Sequence, residues 1–277
     1  MKNLITRSLS GIVYIAVIVG AILAGWQWVM ILTGVFAVIG VAEFESLTIP
    51  STRRSSLSMG ALWLDIFGAL SLCLIPLGLM SQYWDMTNAL MCPLVYFVLR
   101  VFLAICDKGE TAFRNTIRSF MAVIYIGLPL ASLNMLYISG FEEAHMLVLA
   151  IFIMIWLNDT GAFCVGSTLG KHRLCERLSP KKSWEGFWGG LAFCVAFGVA
   201  CYLWWNTAAL GMAAWIGLGV VVSICATVGD LFESMLKRSV GAKDSGKIIP
   251  GHGGILDRID SLLLVAPASL LFLMIAG

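Results

Sequence analysis

Runs of about 20 mostly apolar residues, separated by short polar segments, recur along the whole chain. That is the length a helix needs to cross a hydrocarbon core. The runs are continuous rather than alternating, which predicts helices and not barrel strands. Nine spans are expected, near 9–25, 27–45, 61–80, 88–106, 119–139, 146–165, 184–205, 209–229 and 256–276. The fold class that follows is all-α, a polytopic membrane protein of about nine transmembrane helices. The first run, residues 9–25, has a basic flank in Lys2 and Arg7 but leads into further spans without a clear small-residue cleavage site. It reads as a span rather than a removable leader.

Composition agrees. Of 277 residues, 60% are apolar and 12% are charged, against about 25% charged in an ordinary soluble domain. The mean hydropathy is +0.92. A net charge of +2 is too small to argue for nucleic acid as a partner. The eight cysteines form no C-x-x-C pair and lie mostly inside apolar runs, so neither a metal cluster nor a disulfide frame is expected.

Charge then sets orientation, because short cytoplasmic loops collect Lys and Arg. With the N-terminus inside, the inner segments hold Lys2 and Arg7, Arg53 and Arg54, then Lys108, Arg114 and Arg118. Two further inner loops hold Lys171, Arg173, Arg177, Lys181 and Lys182, and then Lys237, Arg238, Lys243 and Lys247. Arg100 and Arg258 fall near the inner ends of their spans, which puts all 18 cations on one side. The outer loops, residues 81–87, 140–145 and 206–208, contain none. The expected topology is N-inside and C-outside.

No Pro-, Gly- or Ser-rich linker, internal repeat or low-complexity stretch divides the chain, yet its texture changes near residue 156. Residues 1–155 are spans joined by bland loops. Residues 156–277 carry two long inner loops dense in Gly, Lys, Ser and Asp, so the catalytic region is expected there.

Acids within or bordering apolar spans cost about 2.5–3.5 kcal/mol at a helix centre on insertion scales, which makes them functional candidates. Asp159 lies late in the sixth span. Asp230, Glu233 and Ser234 follow the eighth at i, i+3 and i+4, one face of a helix. Asp257 and Asp260 open the ninth, flanking Arg258. Such hard oxygens suit Mg²⁺, which takes one or two carboxylates plus phosphate oxygens and waters. Between the two acid pairs runs a loop with Lys237, Arg238, Lys243, Asp244 and His252 among many glycines, whose backbone can approach a polyphosphate closely. The segment 166–186, with Ser179, Lys181, Lys182, Ser183 and Glu185, repeats that recipe. Together these features suggest metal-assisted phosphoryl or nucleotidyl transfer at a membrane surface.

Blander readings cover other positions. Glu43 and Glu45 mark the end of the second span, and Asp65 is a buried polar partner in the third. His145 and His172 have no special role, and Gly189 and Gly190 serve helix packing.

From Ser234 through Lys237, Arg238, Lys243, Asp244, His252 and Asp257 to Asp260, every fixed position resembles the signature of the phosphatidate cytidylyltransferases, or CDP-diacylglycerol synthases. The segments Asn158-Asp-Thr-Gly-Ala and Ser179-Pro-Lys-Lys-Ser-Trp-Glu-Gly, and the opening Arg7-Ser-Leu-Ser-Gly-Ile-Val, are similar to that family as well. The strong resemblance covers about 156–263, and the one departure is Phe163, where many members carry Tyr. It implies transfer of the cytidylyl group of CTP to phosphatidic acid among the membrane lipids, in phospholipid biosynthesis. It also implies a homodimer with a cytoplasm-facing polar cavity, a bacterial inner-membrane location, and Mg²⁺ with K⁺ as the second metal. Carried over by motif, Asp230, Asp257 and Asp260 are metal ligands. Lys237, Arg238, Lys243 and His252 hold CTP phosphates. Ser179, Lys181 and Lys182 hold nucleotide or lipid phosphate, and Asp159 orients or supports the metal. Ser183, Glu185 and Ser234 count with the substrate-binding residues, and Asp244 and Arg258 with the catalytic ones. The nearest rival is a CTP-dependent lipid kinase of the polyprenol or phytol type, against which the complete signature argues. A cation channel leaves the Gly/Lys loops unexplained.

Overall fold

The computed structural model describes residues 2–49, 59–80, 85–140, 143–205, 210–246, 248 and 253–276. Among them the chain is helical, with α1 (Lys2–Ala24), α2 (Trp26–Thr48), α3 (Met59–Cys73), α4 (Leu77–Met80), α5 (Met86–Cys106), α6 (Ala112–Ile138) and α7 (Ala144–Leu169) in order. After a two-stranded hairpin, β1 (Arg173–Cys175) and β2 (Ser179–Ser183), come α8 (Trp184–Trp205), α9 (Met212–Ser239), α10 (Leu256–Ile259) and α11 (Leu262–Ala276). Among the described residues, seven helical stretches are long and apolar enough to cross a membrane, and Leu9–Ala24 and Met59–Cys73 are shorter apolar helices. The chain is an all-α polytopic membrane protein.

Local breaks in the helices have local causes. Gly25 alone separates α1 from α2, at φ 123°, a backbone state that suits glycine. The apolar run 61–80 is not one helix, because Pro76 disfavours the helical conformation of the residue before it and divides α3 from α4. The last apolar run is broken too. A turn at Asp260 and Ser261 separates the single-turn α10 from α11, so Asp257 and Asp260 do not ride on one continuous helix as their spacing suggests.

The chain divides into two compact units. The first joins Met1–Ile138 with Ala242–Arg258. Its centre is α2, α3 and α6, with α5 laid against α3 and α6. The outward face of α5, including Leu90, Leu94, Val98 and Phe102, is exposed and apolar, as a lipid-facing surface must be. Several buried polar groups inside this unit are paired. Thr33 Oγ1 donates to Asn134 Oδ1 at 3.0 Å, and Asn134 Nδ2 donates to the Cys73 carbonyl at 3.1 Å. Asp65 is indeed a buried partner. It accepts from Tyr96 Oη at 3.0 Å and faces Arg100 Nε at 3.6 Å, while Arg100 also donates to Ser119 Oγ.

The second unit joins Ser139–Gly241 with Ile259–Gly277. It packs α7 on α8, α8 on α9 and α9 on α11. Backbones approach closely at small residues, the usual device where lipid removes the hydrophobic drive between helices. A Cβ at Gly189 would lie 2.6 Å from Val165, and one at Gly219 would lie 2.8 Å from the Cys194 carbonyl oxygen. The packing role expected of Gly189 and Gly190 is therefore borne out.

Candidate active site

The second unit holds a cavity of about 560 Å³ at the junction of α7, the hairpin, α8 and α9. That volume is in the range of small-ligand sites. Asp159, Phe163, Arg173, Lys181, Lys182 and Asp230 lie on its wall, with Asn158 and Ser183 behind them. It thus combines acids, cations and an apolar edge.

Each wall is positioned by its own sequence. On α7, buried Asn158 accepts a hydrogen bond from Ser223 Oγ of α9 at 2.8 Å. Gly190 of α8 packs so closely that a Cβ there would lie 2.6 Å from Asn158 Oδ1. With Asn158 fixed on the inner side of α7, its neighbour Asp159 is exposed and reaches the cavity.

The hairpin carries the cations. Arg173 pairs with Ser183 and Cys175 with Ser179 in antiparallel register, interrupted by an irregularity. Ser183 Oγ accepts from Gly186 N at 3.1 Å and so caps the start of α8. Glu185 ties the hairpin down. Its carboxylate accepts from the amides of Lys171 (3.1 Å) and His172 (3.2 Å), and its Oε1 lies 2.6 Å from His172 Nδ1. His172, bland in the sequence, thus has a structural tether. Lys181 stays exposed, whereas Lys182 Nζ pairs with Asp230 Oδ2 at 2.6 Å. Ser179 is half-buried on β2.

The face of α9 predicted by spacing is formed. Ser234 Oγ donates to Asp230 Oδ1 at 3.3 Å, and Lys237 Nζ meets the buried Glu233 Oε2 at 2.5 Å. Arg238, one residue on, is exposed. Asp260 sits in the turn before α11, held by Ser261 N donating to its Oδ1 at 2.7 Å. Gly229 lets α9 press on that turn, since a Cβ there would lie 2.8 Å from the Asp260 carbonyl oxygen. Asp260 lies within electrostatic range of Asp230, Asp159 and Lys237.

In the first unit the signature loop is built around two carboxylates. Asp257 Oδ2 accepts from Ser245 N (2.9 Å) and Gly254 N (2.8 Å). Glu43, reaching over from α2, accepts from Ile255 N (3.1 Å), Leu256 N (2.8 Å) and Ser245 Oγ (3.3 Å). Lys243, Asp244 and Arg258 are exposed, and Tyr14 Oη donates to the Arg258 carbonyl at 3.0 Å. Lys247 and His252 fall outside the described residues.

Glu43 corrects the reading of that residue as a span-end marker, because it is 4% exposed and fully engaged with a segment more than 200 positions away. Its sequence signal is an acid inside an apolar run, the same signal that singles out Asp65. Asn158 and Arg173 also belong to the cavity; Asn158 opens a segment already similar to the family, whereas the signal of Arg173 is only its place among the cations of 166–186.

Among the described residues no group of three or more His, Cys, Asp and Glu side chains encloses a metal position. Asp260 feels the negative charges of Asp230 and Asp159, and Lys182 and Lys237 offset part of that charge. That donor set suits an ion sharing its shell with phosphate oxygens rather than one caged by protein alone.

The chain matches the model of the cytidylyltransferase family over residues 5–276. It is 32% identical over 263 residues to a phosphatidate cytidylyltransferase of Staphylococcus aureus strain COL, covering 94% of this chain and 95% of that one. The phosphatidate cytidylyltransferase of Staphylococcus haemolyticus is 31% identical over 261 residues, and that of Staphylococcus epidermidis ATCC 12228 is 30% identical over 263, with the same coverage.

Proposed function

The chain belongs to the cytidylyltransferase family, and from that premise we propose that it transfers the cytidylyl group of CTP to phosphatidic acid. The products are CDP-diacylglycerol and pyrophosphate. The observation that carries this reading is the cavity of the second unit, where Asp159 and Asp230 face Arg173, Lys181 and Lys182 at the end of membrane-length helices. Those are the charges needed to bring a nucleoside triphosphate to a lipid phosphate.

An oxygen of the phosphatidate phosphate attacks the α-phosphorus of CTP and forms the new P–O bond. The bond from the α-phosphorus to the α,β-bridging oxygen breaks, and pyrophosphate leaves with the electron pair. The lipid phosphate is already anionic near neutral pH, so no strong base is needed. The difficulty is approach of two polyanions in fixed alignment. Arg173, Lys181 and Lys182 neutralise and orient phosphate in the cavity, and Lys182 is held ready by Asp230. Lys237 and Arg238, at the end of α9, take CTP phosphates. The motif assigns Lys243 and His252 to the same task. Asp230 and Asp260 would hold Mg²⁺, with Asp159 in support, and by the motif Asp257 would share in metal binding, with K⁺ as the second ion. Bound Mg²⁺ supplies charge neutralisation at the reacting phosphates. Glu185 and Ser183 act by fixing the hairpin and the start of α8.

The finer architecture belongs to the same proposal. Nine spans run from an inside N-terminus to an outside C-terminus, and the polar loops face the cytoplasm, where CTP is present. The location is a bacterial membrane, in keeping with relatives from Staphylococcus, and where the cell has two membranes it is the inner one; the assembly is a homodimer.

A product assay tests the reaction. Purified chain in detergent, given CTP, phosphatidic acid and Mg²⁺, is expected to form a cytidine-bearing lipid and pyrophosphate in equal amounts. Turnover of CTP without a cytidine-bearing lipid would overturn the proposal.

A further inference from the structure

We infer that Glu43 is a positioning residue for the signature loop, its buried carboxylate holding Ser245 and the backbone of Ile255 and Leu256 where binding requires them. The inference rests on the reading that this loop serves the reaction with CTP. Glu43 lies in the first half of the chain, outside every segment that resembles the family motifs, and nothing in the chemistry of transfer uses it.

The geometry separates this role from two others. A metal ligand offers lone pairs to a cation, but the groups gathered on Glu43 are donors: two backbone amides at 2.8 and 3.1 Å and the Ser245 hydroxyl at 3.3 Å. A solvated surface acid is excluded by its 4% exposure. A buried carboxylate is costly unless hydrogen bonds compensate it, and here the loop supplies them. The dependence is mutual.

Two of the loop's glycines follow from it. A Cβ at Gly254 would fall 2.6 Å from Glu43 Cδ, and one at Gly246 would fall 2.8 Å from the same atom. These positions must lack side chains so that the carboxylate can enter. The loop's glycines, expected as sites of close phosphate approach, thus include two that make room for Glu43.

The other side of α2 is anchored in turn. Glu45, two residues on and so about 200° around the helix, accepts from Arg118 Nε of α6 at 3.1 Å. Glu43 is therefore presented by a helix end that is itself pinned. Asp257 completes the clamp by binding Ser245 N and Gly254 N. One carboxylate from the loop and one from a distant helix hold the same stretch of backbone.

Glu43→Gln keeps the size of the side chain and turns one acceptor into a donor facing those amides. The test is hydrogen exchange of the peptide covering 253–257 in ligand-free full-length protein, together with KM for CTP and kcat. Exchange there is expected to quicken about tenfold or more, as befits loss of charge-assisted hydrogen bonds. Helices α6 to α9 should keep their exchange rates, and KM for CTP should rise about tenfold with a smaller fall in kcat. Glu43→Asp should recover part of both. Unchanged exchange and KM in the folded variant would overturn the inference, as would uniform acceleration over all helices with activity falling only as the folded fraction falls. If Glu43→Gln does not insert, Ser245→Ala carries the same test, with the same local quickening expected on a smaller scale and unchanged exchange overturning it. Exchange is read without substrate, so a wild-type protein that makes no CDP-diacylglycerol would sink the functional reading while leaving the anchoring of the loop decided by exchange.

Discussion

Asp230 and Asp260 come from different elements and lie within range of each other's charge, with Asp159 close by. Like charges gather in a partly buried place only where something positive offsets them. Lys182 at 2.6 Å and Lys237 do so in part, and a divalent ion would complete the balance. Asp260→Asn keeps the shape and removes the charge. It should lower Mg²⁺-dependent turnover about 100-fold or more, because a metal clamp contributes several kcal/mol to the barrier. The thermal midpoint in detergent should stay at or above that of the wild type, since a crowded negative charge is gone. Near-normal turnover would mean that Asp260 holds no metal. These acids are legible in the sequence because each borders an apolar run. Glu43 meets the same criterion, yet its use is not legible, because its partners Ile255 and Leu256 donate through backbone amides that no side-chain pattern reports.

At the scale of elements, apolar runs account for the helices, and the places where they fail have physical causes. Pro76 splits one run, and the turn at Asp260 and Ser261 splits another. The hairpin is not legible, because Arg173-Leu-Cys175 and Ser179-Pro-Lys-Lys-Ser183 lack the alternation and branched residues that mark strands. It is tied down instead by Glu185, which reaches back to the amides of Lys171 and His172. The element that most rewards a stability test is α3. Asp65→Ala would leave Arg100 buried without its acid in the first unit. A loss of about 3–5 kcal/mol is expected, read as a lower thermal midpoint, with KM for CTP in the surviving folded protein unchanged. A rise in KM with full stability would instead place Asp65 in substrate binding.

For the whole molecule, the segregation of cations predicts where each loop lies. In a background free of native cysteines, Gly140→Cys should react with an impermeant thiol reagent on intact cells, and Lys108→Cys should react only after permeabilisation. The reverse pattern would invert the topology. Matches over residues 5–276 make the family assignment a property of the entire chain and not of one loop. The central claim is that the chain moves a cytidylyl group and not a terminal phosphate. The most direct measurement supplies CTP labelled at either the α- or the γ-phosphorus together with phosphatidic acid. Label from the α-position should enter the lipid while γ-label leaves as pyrophosphate; γ-label in the lipid with α-label released as CDP would contradict the claim.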